Sequence, residues 1–243
     1  MRVILFDFGG TLDFPRHWLD RFLTHYHEAA VVLTRDELDK AFDTATRTAY
    51  RAASSIRCYG LSDVVRYLVG LQLDDLSRNG TGRVKAAVEQ AAGGDIDKLA
   101  ERISGGFVQE SIAGLVESRD VLAALKPRFR IGVVSNFYGN LDRVLSEAGL
   151  SELVDTIADS SRLGIFKPDP GIYRAALAGL GAHPGDAAMV GDSLDKDCAP
   201  AKRLGLTTVW LRHADAAQTK DVEGVADFTI DGLAELKTLK WPI

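Results

Sequence analysis

Three side chains that can do chemistry stand where short apolar runs stop. Asp7 ends the run Val3-Ile4-Leu5-Phe6, Ser135 follows Ile131-Gly132-Val133-Val134, and Asp192 stands behind Ala187-Ala188-Met189-Val190-Gly191. A carboxylate is a competent nucleophile toward phosphorus and can form an acyl-phosphate intermediate. A hydroxyl donates a hydrogen bond to a charged oxygen, and a second carboxylate offers a hard oxygen donor to a divalent cation. Any one of the three alone reads as a turn or helix-cap residue. All three together, at equivalent places in the chain, argue for one shared site.

The apolar runs are what must position them. Each is continuous and short, and each is closed by turn residues (Gly9-Gly10, Ser135-Asn136, Gly191-Asp192), the pattern of a buried parallel strand. Thr207–Leu211 and Phe228–Ile230 read the same way, and Thr156–Ala158 more weakly. Helical patterns separate them: Val121, Leu122 and Leu125 before the second run, Leu141, Val144, Leu145 and Ala148 after it, and Ile172, Tyr173, Ala176, Leu177 and Leu180 before the third. Strand and helix in alternation predict an α/β fold with a doubly wound, Rossmann-like parallel sheet. In such a sheet ligands bind outside the carboxyl ends of the strands, so Asp7, Ser135 and Asp192 are expected to converge there.

Residues 16–115 differ. They contain no convincing strand but show helical spacing at Trp18, Leu19, Phe22, Leu23 and Tyr26, again at Leu38, Phe42 and Ala45, at Val64, Val65 and Leu68, and at Ile96, Leu99 and Ile103. Thr34 followed by Glu37 has the form of a capping box, and Gly60, Gly80, Gly82 and Gly93-Gly94 act as breakers. The expected organisation is a core domain of residues 1–15 and 116–243 with a helical cap domain, 16–115, inserted over the strand ends.

Of the 243 residues 46% are hydrophobic and 26% charged, which argues against disorder, and the net charge of -5 with no basic stripe argues against nucleic acid as a partner. Cys58 and Cys198 are far apart and form no CxxC, so neither a disulfide scaffold nor a thiolate zinc site is supported. No apolar run approaches membrane-spanning length, and Met1-Arg2 leads directly into the first strand without a signal-peptide pattern. A cytoplasmic location is expected.

Asp7-Phe8-Gly9-Gly10-Thr11-Leu12 resembles the first motif of the haloacid dehalogenase-like (HAD) superfamily, DxDGT[LV], except at its third position. Val133-Val134-Ser135-Asn136 is similar to the second motif, Lys167-Pro168-Asp169-Pro170 to the third, and Val190-Gly191-Asp192-Ser193 through Asp197 to the acidic fourth. The resemblance implies a Mg2+-dependent hydrolase, most simply a phosphatase, acting on a small phosphorylated metabolite through an aspartyl-phosphate at Asp7. It assigns Asp7, the main-chain carbonyl of Gly9 and Asp192 to the metal, with Asp197 as a further or water-mediated partner. Ser135 and Lys167 join Asp7 as catalytic groups, and Thr11, Ser135, Asn136 and Lys167 are the substrate-binding set. Asp169 is expected to cap a helix beginning at Pro170, fixing Lys167 at its entrance.

Gly9 is the departure. The family's phosphatases carry a second Asp there, which protonates the leaving oxygen and then activates water, and losing such help costs a factor of about 100 to 10,000. Three readings stay open. The first is a phosphatase whose leaving groups need little protonation, or whose acid is water or a cap residue such as His17. The second is another carboxylate-nucleophile hydrolase, of the dehalogenase type or of the phosphonatase type with a cap lysine (Lys40, Lys85 or Lys98). The third is a non-catalytic binder of phosphorylated ligands. On the sequence alone Gly9→Asp is expected to raise turnover of esters with poor leaving groups. His25-Tyr26-His27 has the wrong spacing for a metal pair. Arg47, Arg51 and Arg57 read as a solvated face, Asp195 as solvent-exposed, His183 and His213 as loop residues, and Trp210 as strand core. Substrate identity and oligomeric state are not readable.

Overall fold

The computed structural model describes residues 2–14, 16–213 and 224–242. Six strands form one parallel sheet: β1 (Val3–Phe6), β2 (Arg130–Ser135), β3 (Thr156–Asp159), β4 (Ala187–Gly191), β5 (Thr207–Leu211) and β6 (Phe228–Ile230), in the order β3-β2-β1-β4-β5-β6. The order runs outward in both directions from β1, which is the doubly wound α/β arrangement, and β1 and β4 flank the switch point where such sheets bind ligands. Every run read as a strand is one, including the weaker Thr156–Ala158.

Alternation along the strands sends side chains to two cores. Ile4 and Phe6 join Ile131, Val133, Val190 and Val209 on one face, and Val3 and Leu5 join Val134, Ala187 and Met189 on the other. The insertion supplies five helices: α1 (Trp18–Glu28), α2 (Arg35–Arg51), α3 (Leu61–Asn79), α4 (Gly82–Ala92) and α5 (Ile96–Leu125). The rest are α6 (Leu141–Glu147), α7 (Ser160–Leu163), α8 (Pro170–Gly179) and α9 (Ala199–Arg203). Val121, Leu122 and Leu125 of α5 cover the first sheet face; Ile172, Tyr173, Ala176 and Leu177 of α8 cover the second.

The helix boundaries follow the expected chemistry. Thr34 accepts from the Glu37 amide while Glu37 accepts from the Thr34 amide, closing the capping box. Asp169 caps α8, and Pro170 is its first residue. Gly60, Gly80, Gly82 and Gly93 sit at the ends of α3 and α4. The difference lies in α5, where two separate helical patterns prove to be the ends of one 30-residue helix. The expected division at 115/116 therefore falls inside a continuous helix, and Pro15, at the other division, lies outside the described residues. Gly114 explains how α5 comes close: a Cβ there would stand 2.1 Å from the carbonyl oxygen of Asp13.

That approach builds a buried polar joint between the insertion and the turn that follows β1. Arg21 of α1 is fully buried and donates to Asp13 at 2.6 Å, to the Phe107 carbonyl at 2.8 Å and to Ser111 Oγ at 2.6 Å, with its guanidinium 3.7 Å from the centre of the Phe107 ring. Glu110, 3.1 Å from Arg21 Nε, completes the set. Nearby, Ser118 Oγ donates to the Leu12 carbonyl at 2.6 Å. Burial pushes the Asp13 carboxyl above its ordinary pKa, with Arg21 the chief opposing influence. Removing one partner strands the other charge in a dry site, so Arg21→Met is expected to lower unfolding stability by about 3–5 kcal/mol, measured by urea denaturation; a loss near zero would show the joint to be dispensable.

Candidate active site

Parallel register brings the chemical groups to one edge. Phe6 pairs with Val133 on one side and Val190 on the other, so Asp7, Ser135 and Asp192 all emerge just past the paired residues. The Asp7 amide donates to the Val190 carbonyl at 2.9 Å, which extends the β1–β4 pairing to the carboxylate itself. In the turn that follows, Gly10 adopts φ +82°, and a Cβ there would meet Asp192 Oδ2 at 2.6 Å. Glycine at this position lets the turn close under the second carboxylate.

Lys167 stands between two of the acids. Its Nζ is 2.7 Å from Asp7 Oδ1 and 2.7 Å from Asp197 Oδ1, and all three side chains are almost wholly buried. Burial alone would discharge the ammonium; Asp197 and Asp7 outweigh it and hold its pKa well above the ordinary lysine value. Asp197 is pushed upward by burial, against the pull of Lys167, with Asp7 and Asp192 adding to the rise. Its other oxygen accepts from the Ser193 amide at 3.0 Å. The lysine's own backbone is clamped by Asn136, whose Oδ1 accepts from the Lys167 amide at 2.7 Å and whose Nδ2 donates to the Lys167 carbonyl at 3.0 Å. The side chain of Asn136 is thus spent on positioning.

Carboxylate oxygens of Asp7, Asp192 and Asp197 lie within 4.8 Å of one another. Three hard, anionic oxygen donors at that separation suit a small divalent cation and no soft metal, so the residues fit the ion that the motif implies. Asp192 is braced from behind: Trp210 Nε1 donates to its carbonyl at 2.8 Å, and His213 Nε2 lies 3.2 Å from its Oδ2. Trp210 is strand core, as expected, yet it also supports the loop, and His213 is more than a loop residue.

A cavity of about 180 Å3 opens above these groups, and Ser135, Asn136, Gly9 and Lys167 line it together with the three acids. Thr11 is fully buried in the turn after Asp7 and is not among the lining residues. The insertion contributes His17, Trp18, Phe42, Thr46 and Tyr50, and the loop after β2 contributes Phe137 and Tyr138. That loop is held by Asp159, whose carboxylate accepts from the Gly139, Leu141 and Ser161 amides. Of the discarded features, Arg47 pairs with Asp43 in solvent, and Asp195 and His183 are exposed. His25 faces Glu28 and Glu110 while His27 binds the Leu33 carbonyl, so the two histidines do not share a ligand site. Lys40, Lys85 and Lys98 are exposed and do not line the cavity.

Trp18 was read only as an apolar helix position, and its role here is larger. A Cβ on Gly9 would lie 3.1 Å from its Nε1, so the indole occupies the space beside Gly9. Asp13 tethers it, accepting from Nε1 at 2.8 Å while also holding the Gly10 amide at 2.8 Å.

With that geometry in view, the comparisons are specific. The model of the haloacid dehalogenase-like hydrolases matches residues 1–205, and the chain belongs to that family. It is 31% identical over 157 residues to the phosphoserine phosphatase of Thermus thermophilus, covering 63% of this chain and 62% of that protein. It is 31% identical to the haloacid dehalogenase-like hydrolase domain-containing protein 3 of Mus musculus, covering 85% of this chain and 80% of the relative. The chain thus spans under two thirds of the first of these and most of the second. A HAD phosphatase from Thermococcus onnurineus shares the fold with a TM-score of 0.55 at 21% identity, covering 98% of this chain and 97% of that one. No helix among the described residues is long and apolar enough to cross a membrane.

The packing of Trp18 sets a cost against the expectation for Gly9→Asp. The new Cβ stands 3.1 Å from the tethered indole nitrogen, so the ring must give by a few tenths of an ångström, and overpacking costs about 1–3 kcal/mol. The variant is expected to fold with a lowered Tm and no gain in phosphate release; a faster enzyme of unchanged Tm would show that the indole yields freely.

Proposed function

We propose that this hydrolase is a Mg2+-dependent phosphatase in which Asp7 is the nucleophile. The observation that carries the reading is the buried Asp7–Lys167–Asp197 contact beside Asp192, at the floor of a cavity. A divalent cation held by Asp7, Asp192 and the Gly9 carbonyl, with Asp197 behind them, would neutralise phosphoryl oxygens that otherwise repel the carboxylates. Lys167 keeps its charge in this site and donates to the equatorial oxygens as negative charge gathers on them, while Ser135 donates a hydroxyl hydrogen bond from the end of the neighbouring strand β2. Because the ammonium and the hydroxyl are pre-set by Asn136 and by the β2 register, little reorganisation is left for the reaction itself.

The acid cluster, which suits a divalent cation, favours a phosphatase over a hydrolase of the dehalogenase type. The exposure of Lys40, Lys85 and Lys98 leaves a phosphonatase without its cap amine. The phosphatase named among the relatives accords with a small phosphorylated substrate, and the insertion is read as the cap that selects it.

Asp7→Asn is expected to reduce Mg2+-dependent phosphate release from phosphomonoesters by about four orders of magnitude or more in a folded protein. Lys167→Met, which leaves two buried acids without their ammonium, is expected to cost about 3–5 kcal/mol of stability and to lower activity by about 100- to 1,000-fold. Activity retained in Asp7→Asn would reject the nucleophile. Metal binding has its own readout: Mg2+ at about 100 times its Kd stabilises the native state by about 2.7 kcal/mol, seen as a raised Tm. Asp192→Asn is expected to abolish that shift, and a shift of equal size in the variant would remove Asp192 from the metal site.

A further inference from the structure

When an Asp7 oxygen bonds to phosphorus, the bond between phosphorus and the leaving oxygen breaks and that oxygen departs with the electron pair. A strongly basic oxygen needs a proton as it leaves; a weakly basic one does not. Among the described residues that line this cavity, most groups that could supply that proton are engaged elsewhere. Lys167 and Asp197 are committed to each other, and Lys167 to Asp7 as well. Burial pushes the Tyr138 phenol up to about 12, and it pushes Tyr50 higher still, with Tyr138, Asp159 and Asp7 adding to the rise. Lys196 stands exposed at the rim. Among the described residues lining the cavity, His17 is the one imidazole. Its Nδ1 is engaged in accepting the Leu19 amide at 3.2 Å, and enclosure by neighbouring groups holds its pKa below the ordinary histidine value despite Asp192. In that neutral form it is a weak acid.

What faces the leaving group instead is aromatic. Trp18 fills the space beside Gly9, and its ring stands edge-on to Phe137 at 6.0 Å. Tyr138 follows at 5.2 Å from Phe137 and the same distance from Tyr50, while Phe42 lines the cavity from α2. Flat apolar surfaces of this kind favour an aromatic body, through burial and ring–ring contact.

We propose that the natural substrate class is an aryl phosphate, a phosphomonoester whose leaving oxygen is phenolic and whose ring lies against Trp18, Phe137, Tyr138, Tyr50 and Phe42. The proposal rests on the phosphatase reading above. The phenolate leaves with the electron pair of the broken P–O bond and takes its proton from solvent water. A second water then attacks phosphorus, the bond to the Asp7 oxygen breaks and returns the carboxylate, and the proton lost by that water passes to a phosphate oxygen. Neither step uses a protein acid, which is how a glycine at position 9 and a working site coexist.

The test is kcat/KM for phosphate release with Mg2+ across substituted phenyl phosphates, simple alkyl phosphates, and a phosphate of a fluorinated alcohol matched to phenol in acidity. The expected result is a steep dependence, about tenfold per unit of leaving-group pKa, with phenyl phosphate at least about tenfold better than its fluorinated match because of ring contacts. His17→Gln is expected to leave the slope unchanged. A shallow slope, with alkyl phosphates close to phenyl phosphate, overturns the proposal; if His17→Gln then steepens it, His17 is the donor. Equal rates for phenyl phosphate and its fluorinated match also overturn it. Each of these leaves the phosphatase reading standing, whereas silence across the whole set, with no phosphate incorporated at Asp7, removes both.

Discussion

One buried ammonium makes the rest of the site possible. Carboxylate oxygens of Asp7, Asp192 and Asp197 lie within 4.8 Å of one another, and holding that much like charge together is costly without a compensating cation. Lys167 supplies a permanent one, touching two of the three. Much of the surrounding architecture reads as support for that cation. Asn136 grips its backbone from the end of β2, Asp169 fixes the start of the helix that follows, and β1 lies between β2 and β4 so that the acids arrive from neighbouring strands. The acids in turn outweigh the lysine's desolvation and hold its pKa above the ordinary lysine value.

A second ion pair, in the joint rather than the site, ties the helical insertion to the reactive turn. Asp13 lies six positions beyond Asp7 and accepts from the Gly10 amide, from Trp18 and from Arg21. Through it, the helix that lines the cavity and the turn that carries the carboxylate share one hydrogen-bond network, whose far side is α5. The wall above the site and the floor beneath it are therefore set by the same residue.

Much of this was legible in the chain. Asp7, Ser135 and Asp192 betray themselves because a parallel strand is a short apolar run, and the residue after it must lie at the sheet's carboxyl edge. Lys167 was legible only through its likeness to the third family motif, and the Asp169-Pro170 helix start, which is local, placed it at a helix entrance. Arg21 was missed, although its spacing with Trp18, Phe22 and His25 puts it on the buried stripe of α1; a charged residue on such a stripe is a signal of a buried partner. The clamp of Asn136 on Lys167 and the approach of His213 to Asp192 were not readable, since both join segments whose distance apart depends on the finished sheet. The continuity of α5 was hidden for a similar reason. Its middle is rich in serine and glycine, which read as weak helix until the packing surface they serve is known, Gly114 against Asp13 and Ser111 against Arg21.

The pairing of Gly9 with Trp18 also bears on how the site could be rebuilt. A Cβ at position 9 would stand 3.1 Å from the indole nitrogen, so a side chain there requires the ring to give by a few tenths of an ångström. The ring is tethered by Asp13 and packs edge-on against Phe22, Phe107 and Phe137. An acid at position 9 and a smaller residue at position 18 are therefore coupled changes, whose effects on stability and rate do not add when made one at a time.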